Sequence, residues 1–181
     1  MASQNDQDLL LVQKAKTGNS RAFGHLVEIY QDRVLALVYD FVGDYDTAKD
    51  IAQDIFMKIF LNLSNFAGQA KFSTWIYRIV VNTCIDYKRK SQRSPLKRIA
   101  NTVSFDRQKQ SQRANSREAL NLDFAINNLS DQQRIAIILR YYHGMKIAQI
   151  ARIMECGTNT VRTHIFRGIE KLRKSIKTIN E

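Results

Sequence analysis

Residues 147–175 read IAQIARIMECGTNTVRTHIFRGIEKLRKS, and the spacing within this stretch decides the fold class. It predicts a short helix from Ile147 to Met154, a turn at Glu155-Cys156-Gly157 and a last helix from Thr158 to about Ser175. Val161, Ile165, Ile169 and Leu172 are spaced by four, four and three residues, so they share one inward face. Two helices joined by a tight glycine-containing turn make a helix-turn-helix. Thr158 and Asn159 stand at the start of the second helix, where free N–H groups and the helix dipole attract phosphate. Thr160, Arg162, Thr163, His164, Arg167, Lys171, Arg173 and Lys174 supply a hydrogen-bonding, basic face of the kind a major-groove reader needs. An ordinary solvated face on a terminal helix is the plainer reading of the same residues.

Outward from this motif, residues 116–181 form one helical domain. Leu120, Phe124, Ile126 and Leu129 suggest a helix. Ser130-x-x-Gln133 is a capping box that opens the next, with Ile135, Ile138, Leu139 and Tyr142 inward and Gly144 as its stop. Residues 91–115 lose the periodicity, contain the only proline, Pro95, and are rich in Ser, Gln and Arg. They read as a flexible basic linker with a relaxed span of about 25–30 Å. Residues 1–90 form a second helical domain. Its helices run from about Asp8 to Lys16, Ser20 to Phe41, Thr47 to Leu63 and Ser73 to Lys90, and residues 64–69 form a loop. Asn19 or Ser20 can cap the second of these helices. Asp44 and Asp46 place negative charge at the positive end of the third. Ile76, Ile79, Val80, Thr83 and Tyr87 form the inner face of the fourth. The fold class is all-α: two helical domains joined by a linker, the C-terminal one a helix-turn-helix.

Composition agrees. The chain has 181 residues, 44% of them hydrophobic, which is enough for a core and excludes wholesale disorder. One proline and seven glycines are too few turn-formers for an all-β sandwich. The longest apolar run, Val34 to Tyr39, is far short of the roughly 20 residues a membrane span requires, so no membrane insertion is expected. The polar N-terminus does not resemble a signal peptide. Cys84 and Cys156 form no C-x-x-C motif, which fits a reducing cytoplasm. His25, His143 and His164 form no metal-ligand pattern. The formal charge of +11 is uneven: residues 1–70 carry −3, residues 71–90 +4, residues 91–115 +5 and residues 116–181 +5. An excess confined to particular segments favours a polyanion partner, most often nucleic acid.

Two further constellations lie in the first domain. Lys71-Phe72-Ser73-Thr74-Trp75-Ile76-Tyr77-Arg78 places aromatics beside positive charge at a loop-to-helix junction, and Asn82, Lys88, Arg89 and Lys90 continue it. A base stacked on an aromatic ring gains about 1–3 kcal/mol, and only an unpaired base can do so. Phe72, Trp75 and Tyr77 also suit a core, and at least one of them belongs there. Asp50, Gln53, Asp54 and Met57 share one helix face, acidic and amide in character, which suits a basic helix of a protein partner or, more plainly, solvent. No nucleophile–base pair, phosphate-binding loop or paired-carboxylate motif is present, so no catalytic residues, metal or cofactor are expected and the protein is not read as an enzyme.

In this order, the segments Asp44 to Phe56, Phe72 to Ile79 and Gly157 to Arg167 resemble the extracytoplasmic-function (ECF) sigma factors, the two-domain branch of the sigma-70 family. The resemblance spans about residues 8–90 and 116–175. It implies a bacterial transcription initiation subunit with no chemistry of its own, which binds core RNA polymerase and directs it to promoters. By that likeness residues 1–90 match region 2. Asp50, Gln53, Asp54 and Phe56 match the segment that docks on the clamp helices of the polymerase beta-prime subunit. Lys71, Phe72, Ser73, Thr74, Trp75, Tyr77, Arg78, Asn82, Lys88 and Arg89 match the part that opens and reads the minus-10 element. Residues 116–181 match region 4, in which Thr158, Asn159, Thr160, Arg162, Thr163, His164, Arg167 and Lys171 read the minus-35 element. The implied partners are core polymerase, including its beta subunit, promoter DNA and, as often in the family, an anti-sigma factor. Departures stand at His164, Phe166, Lys146 and Gln149, where the family usually has arginine, histidine, serine and glutamate; these bear on the minus-35 sequence preferred, not on the fold. The competing reading of the residues is a stand-alone helix-turn-helix regulator.

Overall fold

A computed structural model describes residues 4–93, 125–126 and 128–180. The described residues form helices and no strand: α1 (Gln4–Lys16), α2 (Ser20–Val42), α3 (Tyr45–Asn62), a 3₁₀ turn (Leu63–Asn65), α4 (Phe72–Arg93), α5 (Asp131–Ile137), a π turn (Ile138–Tyr142), α6 (Ile147–Ile153) and α7 (Thr158–Asn180). None of these helices is long and apolar enough to cross a membrane. Most of the expected linker, and the expected helix around Leu120 and Phe124, lie outside the described residues. The chain divides into two compact units, Met1–Asp86 and Tyr87–Glu181.

In the first unit, α2 packs against both α1 and α3. Asn19 caps α2, its side chain accepting from the Ala22 N–H at 3.1 Å. At the other end Gly43 adopts φ +77° and closes the helix onto the Tyr39 carbonyl, a left-handed stop that costs glycine least. Asp44 then caps α3 by accepting from the Thr47 N–H at 2.8 Å, so the helix begins at Tyr45 rather than Thr47. Leu26, Tyr30, Val34, Leu37, Val38, Ile55, Ile59, Phe72, Ile76 and Val80 are among the buried core. The buried polar positions of this unit include Asp8 on α1, which accepts hydrogen bonds from the Tyr30 hydroxyl and from Gln4. Apolar periodicity misses such a position, and α1 accordingly starts four residues earlier than expected. On α4, Ile79 and Tyr87 are half-buried rather than fully inward, while Cys84 is buried.

In the second unit, Gln133 reaches back to the Ser130 N–H at the start of α5. The expected helix from Ser130 to Gly144 is interrupted. From Ile138 it widens into a π turn, closed by the His143 N–H on the Ile138 carbonyl. One extra residue per turn rotates the end of the helix about its axis, so Tyr142, expected inside, is exposed. In the turn before α7 the left-handed residue is Glu155, at φ +53°. A Cβ at Gly157 would meet only ordinary contacts.

Candidate functional site

Three surfaces carry the residues singled out above. On α3, Ile51, Ala52, Ile55 and Ile59 are buried and fix which face is outward. Asp50, Gln53, Asp54 and Met57 fall on that outward face and are exposed; Phe56 is half-buried at its edge. The face ends in exposed Phe60 and Leu61, so an acidic strip passes into an apolar one. Strips of this composition match basic amphipathic helices better than DNA.

On α4, Phe72 is completely buried. Its ring stacks on Trp75 at 5.7 Å between centroids and meets Tyr30 and Phe66 edge-on at 5.8 and 5.3 Å. Thr74 is buried as well. Both match the nucleic-acid surface by family likeness, and Phe72 also suited a core; in this structure both side chains are buried, and the Phe72 ring supports Trp75. Trp75 is half-buried: one side rests on Phe72 and Phe66, leaving part of the ring to solvent. Lys71, Trp75, Arg78, Asn82 and Arg89 succeed one another at helical steps of four, three, four and seven and make one outward stripe. Lys71, Asn82 and Arg89 are exposed and Arg78 is half-buried. Ser73 and Lys88 are half-buried beside the stripe. Tyr77 is half-buried; burial pushes its phenol up and Arg33 opposes the shift.

On α7, Val161 and Ile165 are buried and set the orientation of the helix. The third inward position is Gly168, which packs against Ile137 of α5. Ile169 and Leu172, expected in the same stripe, are only half-buried. The opposite side displays Thr158, Asn159, Thr160, Arg162, Thr163, Arg167 and Lys171, all exposed, with His164 half-buried. Arg162 donates to the Asn159 side-chain oxygen at 2.8 Å, and the Thr163 hydroxyl donates to the Asn159 carbonyl at 3.0 Å. The first turn is thereby held as a small preorganised network. Phe166 was not counted among the contact residues, yet it is 68% exposed on this face, four residues after Arg162 and seven after Asn159. Its position in the helical repeat, rather than its apolar character, was the signal for it. A second omission is Lys16, whose ammonium reaches the loop after α3; no local pattern announces a contact so distant in the chain. Among the described residues no group of three His, Cys, Asp or Glu side chains could hold a metal ion.

Comparisons with known proteins identify the family of the chain. The family described as Sigma-70 region 2 matches residues 26–94, and that described as Sigma-70, region 4 matches residues 119–172. The chain is 33% identical to the RNA polymerase sigma-H factor of Pseudomonas aeruginosa, covering 96% of each chain. It is 32% identical to the ECF RNA polymerase sigma factor SigW of Bacillus subtilis, over 93% of this chain and 96% of that one. The ECF RNA polymerase sigma-E factor of Escherichia coli K12 is also 32% identical, over 98% of both. Two solved structures share the fold. CnrH, in complex with the cytosolic domain of CnrY, has a TM-score of 0.69 at 22% identity, over 95% of this chain and 98% of that one. The sigma factor RpoE of Bartonella quintana, in complex with the anti-sigma factor NepR, has a TM-score of 0.61 at 21% identity, over 86% and 96%.

Proposed function

The chain belongs to the sigma-70 family as an RNA polymerase sigma factor of the ECF type, and from that membership we propose how its surfaces divide the work of promoter recognition. Members of the family are transcription initiation factors rather than catalysts. This chain works in the cytoplasm and has no covalent chemistry of its own; the polymerase supplies it.

The strip Asp50–Gln53–Asp54, with Phe56 at its edge, docks on the clamp helices of the beta-prime subunit, and the beta subunit completes the contact with polymerase. The stripe from Lys71 to Arg89 takes the non-template strand of the opened minus-10 element. Its cations track the phosphates, and Trp75 offers a ring face to an extruded base, a contact worth about 1–3 kcal/mol. Opening costs a few kcal/mol of unstacking, which this surface offsets in part. Helix α7 enters the major groove of the minus-35 element, with phosphate at its N-terminus and Arg162 and Asn159 toward the base edges. Each DNA contact alone is weak and salt-sensitive; joining both through polymerase makes the combination selective. An anti-sigma factor, the kind of partner seen with RpoE of Bartonella quintana, completes the set.

The observation that carries this reading is the presence within the first unit of an acidic face on α3 and an aromatic, basic stretch on α4 from Lys71 to Asn82. A stand-alone helix-turn-helix regulator has no use for either. In vitro transcription with purified bacterial core polymerase tests it. Promoter-selective transcripts are expected. Their absence on every genomic template, together with a duplex shift that needs no polymerase, would favour the regulator instead.

A further inference from the structure

Trp75 owes its position to a chain of contacts that starts outside α4. The loop after α3 carries Phe66, which is buried, and the Phe66 ring supports both Phe72 and Trp75, at 5.3 and 5.4 Å between centroids. The backbone of this loop closes locally through the Phe66 N–H on the Leu63 carbonyl at 3.2 Å. Beyond Phe66 the chain turns through Gly68 at φ +72° and reaches Lys71 with exposed residues at 67, 68, 69 and 71. Besides the packing of Phe66, a polar tie joins this loop to α1 through Lys16, the last residue of that helix. Its ammonium donates to the carbonyls of Ser64 at 3.1 Å and Phe66 at 2.7 Å.

We infer that Lys16 is a positioning residue for the strand-reading surface: it latches the loop so that Phe66 holds Trp75 ready for an unpaired base. This rests on the strand-reading role proposed for the stripe on α4. Lys16 is itself exposed, and α1 is packed through Asp8, Val12 and Ala15, so the ammonium adds little to the core. If it is removed, water takes its place on two carbonyls near the surface. Stability then changes little, but the loop loses its fixed geometry. Preorganisation of this kind is felt in binding and opening rather than in folding.

The test compares Lys16→Met and Lys16→Arg in the full chain. The only tryptophan is Trp75, so its emission in the free protein reports the packing of the loop. With core polymerase, permanganate reactivity of the minus-10 thymines reports opening. Lys16→Met is expected to keep the thermal midpoint and co-purification with core, shift Trp75 emission, and slow opening about fivefold. Lys16→Arg should restore both the emission and the rate. Opening at the wild-type rate in Lys16→Met would overturn the inference. So would a salt slope reduced by about one, which marks a phosphate contact rather than a latch. Lys71→Ala separates the two layers. If it slows opening while Lys16→Met does not, the latch alone fails; if both open promoters normally, the strand-reading role fails first.

Discussion

The backbone of Gly168 passes so close to Ile137 that a methyl group at position 168 would stand 2.6 Å from the Ile137 Cδ1. No real contact is that short, so any side chain at position 168 would force the end of the Ile137 side chain to move. Gly168→Val is therefore expected to overpack the joint and lower stability by about 1–3 kcal/mol. Gly168→Ala combined with Ile137→Val, which removes Cδ1, should be milder than the two single changes added together. Urea unfolding monitored by helical circular dichroism reads both, and an unchanged midpoint for Gly168→Val would refute the close packing.

Arg162 and Asn159 share one hydrogen bond at 2.8 Å, so they are expected to act together on DNA. Arg162→Ala should lose about 1–3 kcal/mol of discrimination at one minus-35 position while core binding is kept. Asn159→Ala should give a weaker version at the same position. Binding of the holoenzyme to a set of single-base promoter variants decides; a variant protein that still ranks them as wild type does would contradict the assignment.

Phe72 and Trp75 are stacked neighbours with opposite expected phenotypes. Phe72→Ala empties a fully buried site and should cost about 3–5 kcal/mol, enough to unfold the unit. Trp75→Ala removes a half-buried ring and should leave a folded protein that opens the minus-10 element slowly. Permanganate footprinting on a variant whose fold has been checked by circular dichroism tells them apart. Unchanged strand opening in Trp75→Ala would defeat the stacking role.

Asp50 and Gln53 are exposed on a helix whose packing lies on its other side. Asp50→Ala with Gln53→Ala should therefore leave the thermal midpoint unaltered and weaken association with core polymerase. Undiminished co-purification would remove α3 from the docking surface.

Tyr30 and Asp8 give a pH signature. Burial first, and then the hydrogen bond to Asp8, hold the Tyr30 phenol well above its ordinary range. A group whose value is raised by folding contributes its full stability below its unfolded value, about 10 for tyrosine, and loses it as pH climbs toward the folded value. The first unit should thus weaken above about pH 10, and Tyr30→Phe should fall less steeply there. At neutral pH the same change should cost about 1–3 kcal/mol, because buried Asp8 loses a donor. Urea midpoints at pH 7 and 11 for both proteins would show it; parallel losses would mean that the pair does not set the alkaline limit.

Much of this was legible along the chain. Helical steps of three and four in residues 20–41, 47–63 and 158–172 predicted α2, α3 and α7, because one face of each must leave water. Asn19, Asp44 and Gln133 announced helix starts, since capping is chemistry between neighbours. The acidic face of α3 and the basic face of α7 could be read for the same reason: both lie on a single helix whose period is known.

The sequence by itself therefore determined that α2, α3, α4 and α7 are helices and the sign of the outward faces of α3 and α7, which come from interactions within about one helical turn; the starts of α1 and α3 and the break at Ile138 did not follow from it. Only the tertiary structure decided that Phe72 is core and Trp75 surface, that Gly168 rather than Ile169 completes the inward stripe of α7, that Tyr142 turns outward, and that Lys16 holds Phe66. Each of these depends on which atoms of a distant segment fill the space beside a residue. Close packing between elements fixes that, and no local spacing encodes it.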